Sequence, residues 1–235
     1  MNNLLGSEPE EKVSAGQVVK AMILNGLSMM SQPLYMFPKF FELIACEHLI
    51  GAGAKPEYFN DDKLGRVLDK LFIKGLDTVF LAVSLNTVEI YQISLLSSHL
   101  DSTSFHVDGE YEYNLPEVIF KNQKELSAGR FIIATNFLSD KELSNEKMLS
   151  EYKAQQSCER GFSFLKNPLF LADIIFLKSP ERIEALAMIM GLCLLVYTLA
   201  QREIRAALKS LKYTVKNQLG KAINNPTMRW IFQCF

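Results

Sequence analysis

Apolar residues recur at three- and four-residue intervals through most of the first 95 residues, the period of helices that bury one face. Val18, Val19, Met22, Ile23 and Leu27 predict a helix over residues 16–30. Pro33 and Pro38 are expected to break the chain around the aromatic-rich stretch Leu34-Tyr35-Met36-Phe37 and Phe40-Phe41. A second helix is predicted over residues 39–49, closed by Gly51 and Gly53, with Pro56 opening a loop. Asn60 or Asp61 caps a third, in which Leu64, Val67, Leu68, Leu71 and Phe72 share a face. Gly75 punctuates, and a further helix is predicted over residues 76–92.

The pattern changes at Ser97. Residues 99–107 are rich in β-favouring side chains and end at Asp108-Gly109, a turn pair, so they predict a strand. Residues 130–135, Arg-Phe-Ile-Ile-Ala-Thr, predict another. The stretch from Glu110 to Ser127 between them has no clear period, and two such strands make a poor sheet by themselves. Helical spacing resumes after Asp140 and is expected to persist to about Gly220. The fold class expected is mainly α with a small β remnant (α+β). It divides into an all-helical N-terminal domain over residues 1–95 and an incomplete mixed domain over residues 96–235.

Composition narrows the classes. A hydrophobic content of 49% builds a real core, and a net charge of -1 excludes a globally basic coat protein while leaving room for a local basic face. Cys46, Cys158, Cys193 and Cys234 are scattered, without zinc-type spacing or a disulfide framework, which fits a reducing cytoplasm. His48, His99 and His106 have no ligand-like spacing. The N-terminus lacks the basic start and apolar run of a signal peptide. Ala185 to Ala200 is apolar but shorter than the ~20 residues a bilayer needs, and is flanked by charges. It is expected to be a buried core helix rather than a membrane span.

Two places hold residue types that do chemistry. Asp101, within Asp-Ser-Thr-Ser on the first predicted strand, suits a divalent cation held at a sheet surface. A solvated or capping aspartate has the same look. In the segment from Tyr152 to Lys166, residues 152, 159 and 166 are seven apart, so on a helix Tyr152, Glu159 and Lys166 line one face with Gln155 close by. A hydroxyl, an amide, a carboxylate and an ammonium then stand in a row able to grip a metal and a phosphodiester. An ordinary amphipathic surface helix gives the same pattern.

Taken together, Asp101-Ser102-Thr103 and the series Tyr152, Gln155, Glu159 and Lys166, with two, three and six residues between, resemble the DDE transposases of the insertion-sequence-four superfamily. The wider superfamily has arginine where this chain has Gln155; glutamine there is similar to one branch of long transposases. Residues 18–27, 129–136, 159–170, 176–186 and 224–235 look similar to the same branch.

That resemblance implies a ribonuclease-H-like domain in which two aspartates and a glutamate hold two Mg²⁺ or Mn²⁺ ions. Asp101 corresponds to the first aspartate and Glu159 to the glutamate, while Tyr152 and Lys166 position DNA. The second aspartate has no counterpart on an apolar strand: Asp108 follows the first in a turn and Asp140 is in a loop. An internal deletion near Tyr113-Asn114 and a C-terminal truncation are expected, with transposition activity lost. DNA, in the form of terminal inverted repeats, is the expected partner, with self-association a further expectation and no membrane. Arg202, Arg205, Lys209, Lys212, Lys216 and Lys221 oppose the single acid Glu203; Lys209, Lys212 and Lys216 form a basic stripe on a predicted helix, able to meet phosphates or simply to be solvated. The same resemblance implies that the helical N-terminal unit, residues 1–95, is the other candidate for element-end recognition, although its sequence has no clear basic recognition helix. The alternative is a non-catalytic helical DNA-binding or regulatory protein.

Overall fold

The computed structural model describes residues 1–6, 11–27, 37–42, 45–95, 144–154 and 179–234. These residues are mainly helical with one two-stranded antiparallel sheet, the fold class that the hydrophobic pattern implies. Both predicted strands, residues 99–107 and 130–135, lie outside the described residues. The described strands are elsewhere.

The chain forms two compact units, residues 1–94 with 161–235, and residues 95–160. In the first, α1 (Asn2–Leu5) precedes α2 (Ala15–Gly26). Ser14 starts α2 with a capping box: its hydroxyl accepts from the Gln17 backbone N–H, and its own N–H donates to Gln17 Oε1 at 2.8 Å. Val18, Val19 and Met22 are buried along one face. The helix predicted over residues 39–49 is instead two short ones, α3 (Phe37–Glu42) and α4 (Cys46–Ile50). Pro38 does not break the chain. It sits in the first turn of α3, where a proline N–H has no helical partner to lose. Phe37, Phe41 and Phe59 are fully buried, and the last two rings stack with centroids 5.1 Å apart.

A 3₁₀ turn (Pro56–Tyr58) leads to α5 (Asp61–Lys74), capped by Asn60, whose Oδ1 accepts from Lys63 N–H at 2.9 Å. Leu64, Val67, Leu68 and Leu71 are buried, whereas Phe72 is 37% exposed and leaves the face the spacing assigned it. At Gly75, with φ 92°, the chain turns by 89° into α6 (Leu76–Ile90).

The core is completed from far along the sequence. Here α8 (Pro180–Ser210; α7, Asn145–Ala154, belongs to the second unit) packs most extensively on α5 and next on α2. Ala185, Leu186, Ile189, Leu192 and Cys193 are its buried face and join the same hydrophobic cluster as Val18, Leu64 and Leu68. Arg182 clips α8 to α5 through two 2.7 Å hydrogen bonds to the Asp69 carboxylate. At 31 residues α8 is long and apolar enough to cross a membrane, although the apolar run alone looked too short.

The helical spacing expected to reach Gly220 stops at Ser210. Tyr213 N–H bonds back to Leu208 O, Lys212 takes φ 55°, and the β-branched pair Thr214-Val215 enters a hairpin of β1 (Val215–Lys216) and β2 (Ala222–Ile223). Val215 pairs with Ile223 and Lys216 with Ala222. Finally α9 (Met228–Gln233), capped by Thr227, is tied to α8 by Met228 N–H on Gln201 Oε1 and Arg229 N–H on the Tyr197 hydroxyl. In the second unit the described helix is α7 (Asn145–Ala154).

Candidate functional site

Of Asp101, Tyr152, Gln155, Glu159 and Lys166, the structure describes Tyr152, which sits near the C-terminal end of α7 with 44% of its surface exposed. Asp101, Gln155, Glu159 and Lys166 lie outside the described residues, as does the expected helical continuation of their series. Among the described residues no cluster of three or more His, Cys, Asp or Glu side chains is placed to hold a metal ion. The two carboxylates that the resemblance implies as metal ligands, Asp101 and Glu159, fall short of the three it implies for an ion pair.

The basic C-terminal residues sort into two groups. Arg202 Nη1 donates to Tyr91 O at 3.1 Å and pairs with Glu203 at 3.3 Å, and Arg205 Nε donates to Pro226 O at 2.9 Å. Those two guanidinium groups anchor α8 to neighbouring segments. Lys209, Lys212, Lys216 and Lys221 are all exposed. They do not form the expected single helical stripe, because the helix ends between Lys209 and Lys212: Lys209 is in the last turn of α8, Lys212 in the following turn and Lys216 on β1. The hairpin that carries Lys216 is fixed by Trp230, whose indole Nε1 donates to Lys216 O at 2.7 Å, and by Asn217 Oδ1, which accepts from Leu219 and Lys221 N–H.

A second charged site is in the N-terminal region, where sequence spacing showed no basic recognition helix. A cleft of about 470 Å³ opens between the segment at residues 11–13, the 3₁₀ turn and α5. Its walls carry Lys12, Lys63, Arg66 and Lys70 against Glu11 and Glu57. Three of the cations are on α5 at positions i, i+3 and i+7, one helical face. Glu11 is seated between two of them, its Oε1 2.8 Å from Lys63 Nζ and 3.2 Å from Lys70 Nζ. Lys12 lies over the Tyr58 ring, 5.1 Å from its centroid. The spacing was in the sequence, but interleaved with Leu64, Val67, Leu68 and Leu71 it reads first as the polar side of a core helix. Lys12 and Tyr58 reach it only through the fold.

Residues 1–85 match a domain of unknown function, DUF4277. No curated protein and no solved structure matches the chain. The DUF4277 match takes in the whole α5 cleft and ends within α6.

Proposed function

We propose that this chain is a DDE transposase by descent, catalytically inactive and retaining affinity for DNA. The observation that carries the reading is the series Tyr152, Gln155, Glu159 and Lys166, with two, three and six residues between, together with Asp101 upstream. The exposed Tyr152 on a helix and the four exposed lysines near the C-terminus support it. By this reading Asp101 and Glu159 are what is left of a Mg²⁺ or Mn²⁺ site. Loss of the third carboxylate removes the clamp on the attacking and leaving oxygens. No cleavage step is assigned to the chain.

The test has two parts. With Mg²⁺ or Mn²⁺ and DNA carrying the sequences that flank the reading frame, nicking and strand transfer are expected at the level of a Glu159→Gln control. Activity above that control overturns the inactive assignment. In a gel-shift competition, duplexes from the flanking ends are expected to be retained over scrambled duplexes of equal length. Equal retention of both removes the claim of element-end recognition and favours a helical regulatory protein without it.

A further inference from the structure

We propose that a second copy of this chain docks its basic C-terminal hairpin on the outer face of α6, and that the contact is reciprocal, closing two copies as a twofold pair. This goes beyond the DNA-binding reading and does not rest on it.

On α6, Asp77, Leu81, Leu85 and Glu89 follow one another at four-residue steps and so stand in one row. Leu81 is 58% and Leu85 54% exposed, and both acids are exposed as well. The helix buries its other side, with Val79 in the core. No Lys or Arg occurs from Gly75 to Ser94. Arg202, which reaches the end of α6, is engaged by Tyr91 O and Glu203. Among the described residues neither Asp77 nor Glu89 makes an ion pair. The row is an apolar pair between two uncompensated negative charges. Another α6 covers it poorly, because antiparallel stacking of two such rows sets acid against acid.

The complementary surface belongs to the same unit. Residues 204–235 contain no Asp or Glu. Exposed Lys209, Lys212, Lys216 and Lys221 alternate along the chain with exposed Leu211, Tyr213 and Leu219, the last 91% exposed between β1 and β2. A phosphate chain would answer the lysines and leave these apolar side chains uncovered. The α6 row answers both, with counter-charges for the lysines and leucines for the leucines.

The spacing of the two surfaces sets the symmetry. A Cβ on Gly191 would stand 3.2 Å from the Phe80 ring, and Arg202 Nη1 donates to Tyr91 O at 3.1 Å. Both contacts join residues 111 positions apart, so α6 and α8 run parallel and in step. From Arg202 α8 continues to Ser210, roughly 12 Å further, before the hairpin begins. The acidic row and the hairpin thus occupy successive levels along α8. A copy laid antiparallel brings each hairpin to the other's row, which gives the two equal contacts of an isologous pair.

The experiment is sedimentation velocity of the full chain without DNA, from about 1 to 100 μM protein at about 50 mM salt. A monomer–dimer equilibrium is expected, shifting to monomer at about 1 M salt, where charges are screened within about 3 Å. Lys216→Glu/Lys221→Glu and Asp77→Lys/Glu89→Lys are each expected to weaken the dimer about tenfold or more, since each sets like charges face to face. An equal mixture of the two is expected to dimerise about as well as the unmodified chain, because every hairpin then meets a row of opposite sign. Leu219→Ser, which changes no charge, is expected to weaken the dimer about fivefold. All five positions are exposed, and thermal melts establish that each variant is folded. A monomer at every concentration overturns the proposal, as does a dimer that survives both charge reversals or a mixture that stays monomeric. Loss of the dimer leaves end recognition standing, and equal retention of flanking and scrambled duplexes leaves the dimer standing.

Discussion

At Gly26 a single missing carbon lets two helices meet. A Cβ placed there would come within 2.6 Å of Cys193 Sγ, too close for any real contact. Cys193 is buried and its short side chain cannot swing away. Gly26→Ala is therefore expected to cost about 1–3 kcal/mol by overpacking, more than the ~1 kcal/mol at most that alanine returns in helix propensity. Cys193→Ala removes the obstructing sulfur, so the double variant should recover much of the loss. Urea denaturation of the four proteins measures that coupling, and strict additivity would show that the helices do not press on each other here. The same burial pushes the Cys193 thiol up to about 12, and Cys46 is raised by burial and by Glu57 and Glu47. Folding thus keeps protons on thiols that the unfolded chain releases near pH ~8.5. Their contribution is fully present below that value and declines as pH climbs toward 12, so stability should fall with a slope that Cys193→Ala makes shallower. Alkylation followed by peptide mapping should modify exposed Cys234 readily and Cys193 only as the protein unfolds.

Caps decide where the elements begin. Asn60 satisfies the Lys63 N–H at the head of α5, the helix that α8 packs on most, so Asn60→Ala is expected to lower stability by about 1 kcal/mol. Asn60→Asp should be nearly neutral, and a thermal melt distinguishes the two. This start was legible in the sequence because the cap residue and the apolar period point to the same place. The end of α8 was not. Lys209, Lys212 and Lys216 keep helical spacing through a region where the backbone has already turned, and spacing alone carries no record of the φ 55° at Lys212. Pro38 misled in the opposite direction: a proline that stops a helix and one that starts it read alike until the first turn is located. The charged cleft was hidden for a third reason, since Lys12 and Tyr58 join the α5 cations by tertiary packing rather than by any local pattern.

Dependence of the N-terminal region on α8 is a property of the whole unit. The DUF4277 match ends within α6, yet the core that contains Val18, Leu64, Leu68 and Leu71 also contains Ala185, Leu186, Ile189 and Leu192. Of the apolar stretch in α8 that could span a bilayer, 33% is buried inside this unit, and that buried part is the face turned to α5 and α2. Removing α8 would expose fully buried Leu and Val side chains on both helices, each worth about 1.5–3 kcal/mol of burial, against a total domain stability of about 5–15 kcal/mol. A fragment of residues 1–94 is therefore expected to lose cooperative unfolding, although α2 and α5 keep their side-chain caps. Ile189→Ala in the full chain tests the same packing more gently, with an expected loss of about 2–5 kcal/mol. If residues 179–234 supplied in trans restore a sigmoidal urea transition to the fragment, α8 is the missing half of its core. If the fragment already unfolds cooperatively and Ile189→Ala costs nothing, the apolar face of α8 is not holding the unit together, and its length and hydropathy would then point to a bilayer.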